Sequence, residues 1–340
     1  MKPKHLAFKL WWLLAFLGAL LMPALGGSGS GPVSAHGGIT GFVPSLVTQD
    51  VIPTFPSAPV DKTLHVPTVL PKLDLVIAVD TSGSMDDELT NLKANINAMI
   101  NALVAAGASD LAIAVVSFED YPATYNDDPP GTNCGYSATY GSATSGDLPY
   151  RVGQPVSTDL GPLGTVQTAV NALVLRNGED FAQDYARVMW ESSRTDAAPG
   201  QPALGYRAGA QKILLMFGDD VPHACDLNGP EPGVTSKGID PGRDSAINTA
   251  DDLDIFAQSI PAMNGAGVTL VHIHSGATSV KPLWDTYAQA TGGTASQINP
   301  NGTIPGGVSL SQLVLDQIAA IEVDVSITRN CPAGADVRFS

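Results

Sequence analysis

Apolar residues along this chain form short continuous runs separated by stretches of helical periodicity. The run from Leu75 to Val79 has no polar break, which is typical of a strand buried on both faces of a parallel sheet. Similar runs recur, and the apolar spacing between them predicts helices. The predicted strands are 74–80, 111–118, 153–158, 212–217, 268–273 and 322–328, and the predicted helices are 86–106, 166–175, 180–193, 250–263, 281–291 and 310–321.

Strands that alternate with helices predict an α/β fold, with a doubly wound, mostly parallel sheet and helices on both faces. Ligands of such sheets bind at the carboxyl ends of the strands, near the point where the strand order reverses. Asp80, the loop at 119–150 and Asp219 all lie at that end in the predicted order. We therefore expect segments far apart in sequence to converge on one crevice.

Composition divides the chain into segments. Lysines, an apolar stretch and then small residues predict a secretory signal peptide, with cleavage after Gly26 or Ala35 and an uncleaved anchor as the alternative. The protein is therefore expected to be secreted or at the cell surface, with no stable membrane span after cleavage. The predicted segments are a signal peptide at 1–35, a Pro/Gly/Thr-rich arm at 36–71, a globular domain at 72–328 with insertions at 119–150 and 222–246, and a tail or following segment at 329–340.

The chain is strongly acidic, with a net charge of −16 over 340 residues. This charge argues against nucleic acid and anionic membrane surfaces as partners. It is compatible with divalent cations and equally with simple solubility outside the cell.

The sequence contains three cysteines, an odd number for a protein that is expected to enter an oxidising compartment. Cys134 and Cys225 both fall in loops that follow strands, so a disulfide between them is expected. Cys331 is left over and is available for a partner beyond this chain.

Three hard oxygen side chains alternate directly after the first predicted strand: Asp80, Ser82 and Ser84. Alternate residues of an extended segment point the same way, so one carboxylate and two hydroxyls can converge. Gly83 allows the tight turn between them. Oxygen ligands of low total charge suit Mg²⁺, Mn²⁺ or Ca²⁺ rather than Zn²⁺.

This Asp-x-Ser-x-Ser motif, placed after a buried strand and before a long amphipathic helix, resembles the von Willebrand factor A family and its metal-ion-dependent adhesion site. The resemblance covers about residues 72–328. It implies a Rossmann-like fold, Mg²⁺ ahead of Mn²⁺ or Ca²⁺ as the cation, and adhesion to a carboxylate of a protein partner.

The resemblance also extends to a later loop that usually supplies an Asp to the cation. The stretch Gly-Asp-Asp-Val-Pro-His at 218–223 resembles the Asp-x-x-Pro-His variant of secreted members. This implies that Asp219 takes that role, with Asp220 as the alternative. His223 is the histidine expected closest to the metal.

The remaining loop departs from the family pattern. Residues 177–183 resemble the Gly-Gly-x-Asp-x-Pro-Glu stretch of integrin-β and hemicentin-type domains, but Gln183 stands where the Glu is expected. The resemblance then implies a carboxylate from Asp180 or from Glu179, and Gln183 can offer a neutral oxygen. Asp180 can equally serve as a helix N-cap.

Further acidic residues have two interpretations. Asp87 and Glu88 match the positions that hold a second cation in integrin-β domains, although acidic residues also favour the first turn of a helix. Glu119 and Asp120 follow the second strand and are expected in a solvated loop.

An enzyme is not expected. Ser82 lies in Thr-Ser-Gly rather than in a Gly-x-Ser-x-Gly turn, and His272 and His274 are interpreted as structural. A passive structural domain with a stabilising metal shares the same sequence features as an adhesion module and stays an alternative, ahead of a metal-dependent hydrolase.

Overall fold

The computed structural model describes residues 42–43, 63–64, 72–125, 139–223 and 238–321, the first two pairs through their backbone alone. Short strands β1 and β2 pair antiparallel, and the other strands form one six-stranded sheet. The strands are β1 (Phe42–Val43), β2 (Thr63–Leu64), β3 (Lys72–Asp80), β4 (Asp110–Phe118), β5 (Arg151–Ser157), β6 (Gln211–Gly218), β7 (Val268–His274) and β8 (Thr294–Gln297). The helices are α1 (Asp86–Ala105), α2 (Thr165–Ala172), α3 (Tyr185–Glu191), α4 (Ile260–Ala266), α5 (Lys281–Ala290) and α6 (Leu310–Ala319).

The sheet has the order β5-β4-β3-β6-β7-β8. All of its pairings are parallel except the one between β4 and the edge strand β5. The chain leaves β3 toward β4 on one side, and β6 later occupies the other side of β3. The strand order therefore reverses beside β3, and the carboxyl ends of β3 and β6 form the crevice where ligands of open α/β sheets bind.

Side chains of β3 alternate between two buried layers. Leu75, Ile77 and Val79 pack with helices α1, α2 and α6, whereas Val76 and Ala78 pack with α3, α4 and α5. Every residue from Leu73 to Asp80 is buried, which accounts for the unbroken apolar run in the sequence. The predicted doubly wound α/β fold with helices on both faces is confirmed.

Several element boundaries differ from the prediction. Helix α3 begins at Tyr185 rather than at residue 180, because the preceding segment forms backbone hydrogen bonds to two other loops: Gln183 N donates to Val221 O and Asp184 N to Glu119 O. The helix predicted at 250–263 begins with a π-helical turn at Ile255–Ser259. Strand β8 was not predicted, because its residues Thr-Ala-Ser-Gln lack an apolar run.

Other sequence predictions lie outside the described residues. They concern the signal peptide, most of the arm at 36–71, the middle of each insertion, all three cysteines and the strand predicted at 322–328. The disulfide between Cys134 and Cys225 therefore stays a prediction.

Candidate metal centre

The first loop of the candidate site follows β3 at the centre of the sheet. Asp80 is fully buried, and its Oδ1 accepts a hydrogen bond from the Ser82 amide at 2.8 Å. The hydroxyls of Ser82 and Ser84 lie 3.2 Å apart, and Ser84 is exposed to solvent. The loop therefore combines a buried carboxylate with two neighbouring hydroxyls, one of which reaches the surface.

Asp219 lies close enough to act electrostatically on this loop. Burial raises the pKa of Asp80 well above its usual value, and the charge of Asp219 adds to the effect. Burial, with a smaller contribution from Asp219, also raises the pKa of Glu88. Three carboxyl groups from β3, α1 and the end of β6 thus share one region, as the sequence predicted for Asp80 and Asp219.

The two acidic residues at the start of α1 have different environments. Asp87 is exposed in the first turn, in keeping with its interpretation as helix N-terminal charge. Glu88 is only 5% exposed, and its Oε2 has no hydrogen-bond partner within the described residues. Glu88 therefore belongs to the carboxylate group around Asp219 rather than to a solvated helix end.

The loop of residues 176–183, here called the second loop, lies along the first. The Arg176 amide donates to Thr81 O at 2.7 Å, and the Gly83 amide donates to Asn177 O at 3.3 Å. Gly178 has a positive φ of 53°, and a Cβ placed on it would lie 3.0 Å from both the Ser82 Cβ and the Gln183 Nε2. Glycine at this position therefore lets the two loops touch.

Gln183, like Ser82, lies close to Gly178. Its Oε1 is buried and accepts no hydrogen bond in the described part of the chain. Such an atom loses its water without compensation unless a donor or a cation reaches it. Gln183 thus offers a neutral oxygen near Gly178, where the second loop meets the first.

Asp180, the carboxylate predicted to act from this loop, lies with His223 and Asp120 rather than in contact with Asp80. Its Oδ1 lies 3.6 Å from His223 Nε2, and Asp120 shares the same cluster. Glu179 is exposed. Asp220 adjoins Asp219, and burial raises its pKa to about 6. None of these three carboxylates forms an ion pair or hydrogen bond with the Asp80 loop among the described residues.

Tyr185 is a site residue that sequence reasoning missed. Its hydroxyl donates to Asp80 Oδ2 at 2.9 Å and accepts from the Asp220 amide at 3.3 Å. A Cβ on Gly218 would lie 2.3 Å from the same hydroxyl oxygen, so only glycine leaves room for the ring. A buried aromatic at the start of a helix is the only sequence signal, and it does not distinguish this role from ordinary packing.

Glu119 and Asp120 were expected in a solvated loop, and that expectation is wrong. Both residues are completely buried. Glu119 accepts hydrogen bonds from the Thr81 hydroxyl and from the Leu148 amide, and it pairs with Arg151 at 3.3 Å. Glu119 therefore ties the first loop to the described end of the 119–150 insertion, a long-range contact that local sequence does not reveal.

The donor set around Asp80 fits a hard divalent cation. It consists of carboxylate, hydroxyl and amide oxygens, and two of the oxygens, Glu88 Oε2 and Gln183 Oε1, are buried without a donor from any described residue. No lysine or arginine in the described ranges forms an ion pair with Asp80, Glu88 or Asp219.

Comparison with known proteins identifies fold neighbours only. No family model matches the sequence, and no curated protein matches it. Three similar solved structures are proximal thread matrix protein 1 from the mussel byssus (14% identity, TM-score 0.44, 73% of this chain and 48% of that chain), the pilus adhesin SpaC from Lactobacillus rhamnosus GG (11%, 0.42, 74% and 30%) and a von Willebrand factor type A protein from Catenulispora acidiphila (15%, 0.38, 74% and 42%). This chain spans less than half of each of those chains.

Helices α1 to α6 contain between 7 and 20 residues. None of them is both long enough and apolar enough to cross a bilayer.

Proposed function

We propose that this chain is a secreted interaction module that holds a divalent cation between the Asp80 loop and Asp219 and binds an acidic group of a protein partner there. The observation that carries the proposal is the burial of Asp80 beside two serine hydroxyls and the charge of Asp219, with no lysine or arginine from the described residues paired with Asp80. A buried carboxylate needs compensation for its lost hydration, and a divalent cation supplies it.

The residues that would hold the cation come from three loops. Asp80, Ser82 and Ser84 follow β3, Asp219 follows β6, and Gln183 contributes a neutral oxygen from the second loop. Mg²⁺ suits these oxygen ligands, with Mn²⁺ and Ca²⁺ as alternatives. When bound, the cation would supply a positive centre at which a partner's Asp or Glu carboxylate can complete the coordination. Since Ser84 is exposed, the partner would approach from its side.

No catalytic role is proposed. The Ser82 hydroxyl contacts Ser84, and His272 stacks on Trp284 inside the core with ring centroids 3.8 Å apart.

Adhesion and a passive structural role differ in one measurable property, which is whether a carboxylate ligand requires the cation.

The first test is thermal unfolding of the mature chain in chelator and then in about 10 mM Mg²⁺, Mn²⁺ or Ca²⁺. Extracellular cation sites bind at roughly 10⁻⁴–10⁻³ M, so saturation should raise the free energy of unfolding by about 1.4–2.7 kcal/mol. We expect Asp80→Ala to abolish this shift. Asp316→Ala, which removes an exposed carboxylate on α6, is the matched control and should keep it.

The second test selects peptides from a displayed library in Mg²⁺. Binders should depend on an Asp or Glu, and they should be lost in chelator or when that residue is changed to Asn or Gln. Peptides that bind equally well in chelator would rule out the adhesion mechanism. Cation binding without any carboxylate-dependent ligand would favour the passive structural role.

A further inference from the structure

A second group of metal-ligating side chains lies in the loops next to the candidate site. His223 Nε2 is 3.0 Å from Asp120 Oδ2 and 3.6 Å from Asp180 Oδ1. One ligand atom from each of these three residues lies within 4.8 Å of the others. Asp184 is fully buried and interacts with the Asp120 carboxyl. We call Asp120, Asp180, Asp184 and His223 the His223 cluster.

Two carboxylates of the His223 cluster are buried without hydrogen-bond donors. The Asp180 side chain is only 2% exposed, and Asp184 is not exposed at all. Neither oxygen of Asp180 or of Asp184 accepts a hydrogen bond within the described residues. Burial of a carboxylate without a hydrogen-bond donor is costly, and the neighbours of Asp180 and Asp184 in the cluster are Asp120 and His223, so these four oxygen atoms are suited to a positive ligand.

The neighbouring guanidinium group of Arg187 forms its contacts elsewhere and does not supply that positive charge. The Arg187 guanidinium pairs with Glu191 at 2.8 Å and donates to the Tyr121 hydroxyl and to Gly242 O. Burial raises the pKa values of Asp120 and Asp184 well above the usual range, and the charge of Asp180 adds to the effect on Asp120 as that of Asp120 does on Asp184. Burial therefore favours the neutral forms of these carboxyls unless a positive charge lies beside them.

We propose that the His223 cluster binds a divalent transition-metal cation, Mn²⁺ or Zn²⁺, at a site separate from the one around Asp80. An imidazole nitrogen together with carboxylate oxygens suits these ions, whereas Mg²⁺ and Ca²⁺ prefer oxygen ligands alone. Ligands about 2.1 Å from a cation lie roughly 3–4 Å from one another. The two distances from His223 Nε2, 3.0 Å to Asp120 and 3.6 Å to Asp180, fall in this range, and all three ligand atoms lie within 4.8 Å of one another.

Two of the three loops that form this site also carry the first site. Asp120 follows β4, Asp180 and Asp184 precede α3, and His223 lies beyond β6. The backbone already connects the latter two segments, because the His223 amide donates to Gln183 O at 3.1 Å. A cation in the His223 cluster would therefore hold Gln183 and the Asp219 loop in fixed relation.

The test uses the mature chain carrying Asp80→Ala, so that the first site is removed and the result does not depend on the proposed adhesion function. Titration with Mn²⁺ or Zn²⁺ alone should show one bound cation. Adding Asp184→Asn should weaken binding at least tenfold. Adding Asp159→Asn, which changes an exposed Asp elsewhere, should leave binding unchanged.

A spectroscopic readout avoids dependence on whether the Asp184→Asn chain folds. In the Asp80→Ala chain, Zn²⁺ should shift the ¹⁵N signal of the His223 ring, and Mn²⁺ should broaden it before that of His272. No change in the His223 signal would overturn the proposal. It would also be overturned if a folded chain with both Asp80→Ala and Asp184→Asn bound Mn²⁺ and Zn²⁺ as tightly as the chain with Asp80→Ala alone.

Discussion

At the scale of single residues, Tyr185 controls how Asp80 is presented. Burial and then the charges of Asp80 and Asp219 raise the pKa of Tyr185 well above its usual value. The hydroxyl therefore stays protonated and donates to Asp80 Oδ2, while Oδ1 accepts from the Ser82 amide. Such hydrogen bonds orient a metal ligand and contribute to its affinity.

Tyr185→Phe removes this donor while the ring can stay packed against Phe118 and Trp284. We expect Mg²⁺ affinity, measured by calorimetry, to fall about tenfold or more, since partners of metal ligands typically contribute roughly 10- to 100-fold. Tyr206→Phe is the matched control, because the buried Tyr206 hydroxyl has no hydrogen-bond partner among the described residues. Equal affinities of the two variants would contradict the orienting role.

At the scale of elements, the second loop is positioned by contacts outside itself. Asp147 accepts hydrogen bonds from the amides of Asn177 and Gly178, both at 3.1 Å. Arg176 donates through Nη1 to Ser145 O at 2.8 Å. The described end of the 119–150 insertion therefore holds this loop against the Asp80 loop, and Gly178 provides the space for the contact.

Gly178→Ala should disrupt this contact between loops. Both Gly178 and Gly200 have positive φ, so replacing either with Ala should destabilise the fold by roughly 1–2 kcal/mol. A Cβ at Gly200 meets nothing within 4 Å, whereas one at Gly178 meets Ser82 and Gln183. Cation binding, measured by calorimetry, should therefore weaken in Gly178→Ala and persist in Gly200→Ala. Retention in both would show that the loop contact does not shape the site.

At the scale of the whole molecule, the reversal of strand order collects buried acids at one end of the sheet. Burial raises the pKa of Asp240 to about 6, and that of Asp220 also to about 6. The carboxyls with raised pKa values at this end are the half-buried Asp220 and the buried Asp80, Glu88, Glu119, Asp120, Asp184 and Asp240. Folding without cations therefore takes up protons.

In chelator, the free energy of unfolding should rise as pH falls from 7.5 through about 6 to about 4.5. The unfolded carboxyls titrate near 3.8, so between that pH and about 6 the folded chain binds more protons than the unfolded chain. His272 and His274 act in the opposite direction, because burial lowers their pKa values, but they are fewer. Denaturant unfolding across this range measures the slope.

The same titration in saturating Mg²⁺ and Mn²⁺ provides the comparison. Cations and protons compete for these carboxylates, so cation stabilisation should shrink as pH falls. The histidines of the core contribute equally to both series and cancel in the difference. If the cation stabilises the fold equally at pH 5.5 and at pH 7.5, the carboxyl groups with raised pKa values do not bind it.

The sequence alone determined the α/β fold class, because continuous apolar runs and helical spacing are local consequences of burial on two faces. It also determined the Asp80, Ser82 and Ser84 loop and its neighbour Asp219, since both directly follow strands that parallel pairing brings together. Those features depend on periodicity and strand order, which a single sequence records.

Only the tertiary structure decided which side chains of the other loops turn toward Asp80. It brought Gln183 and Tyr185 to the site, buried Glu88 and Glu119, and grouped Asp180 with His223. These outcomes depend on hydrogen bonds between residues 29 and 105 positions apart and on the room left by Gly178 and Gly218. Long-range packing of this kind has no periodic signature, so the sequence could not reveal it.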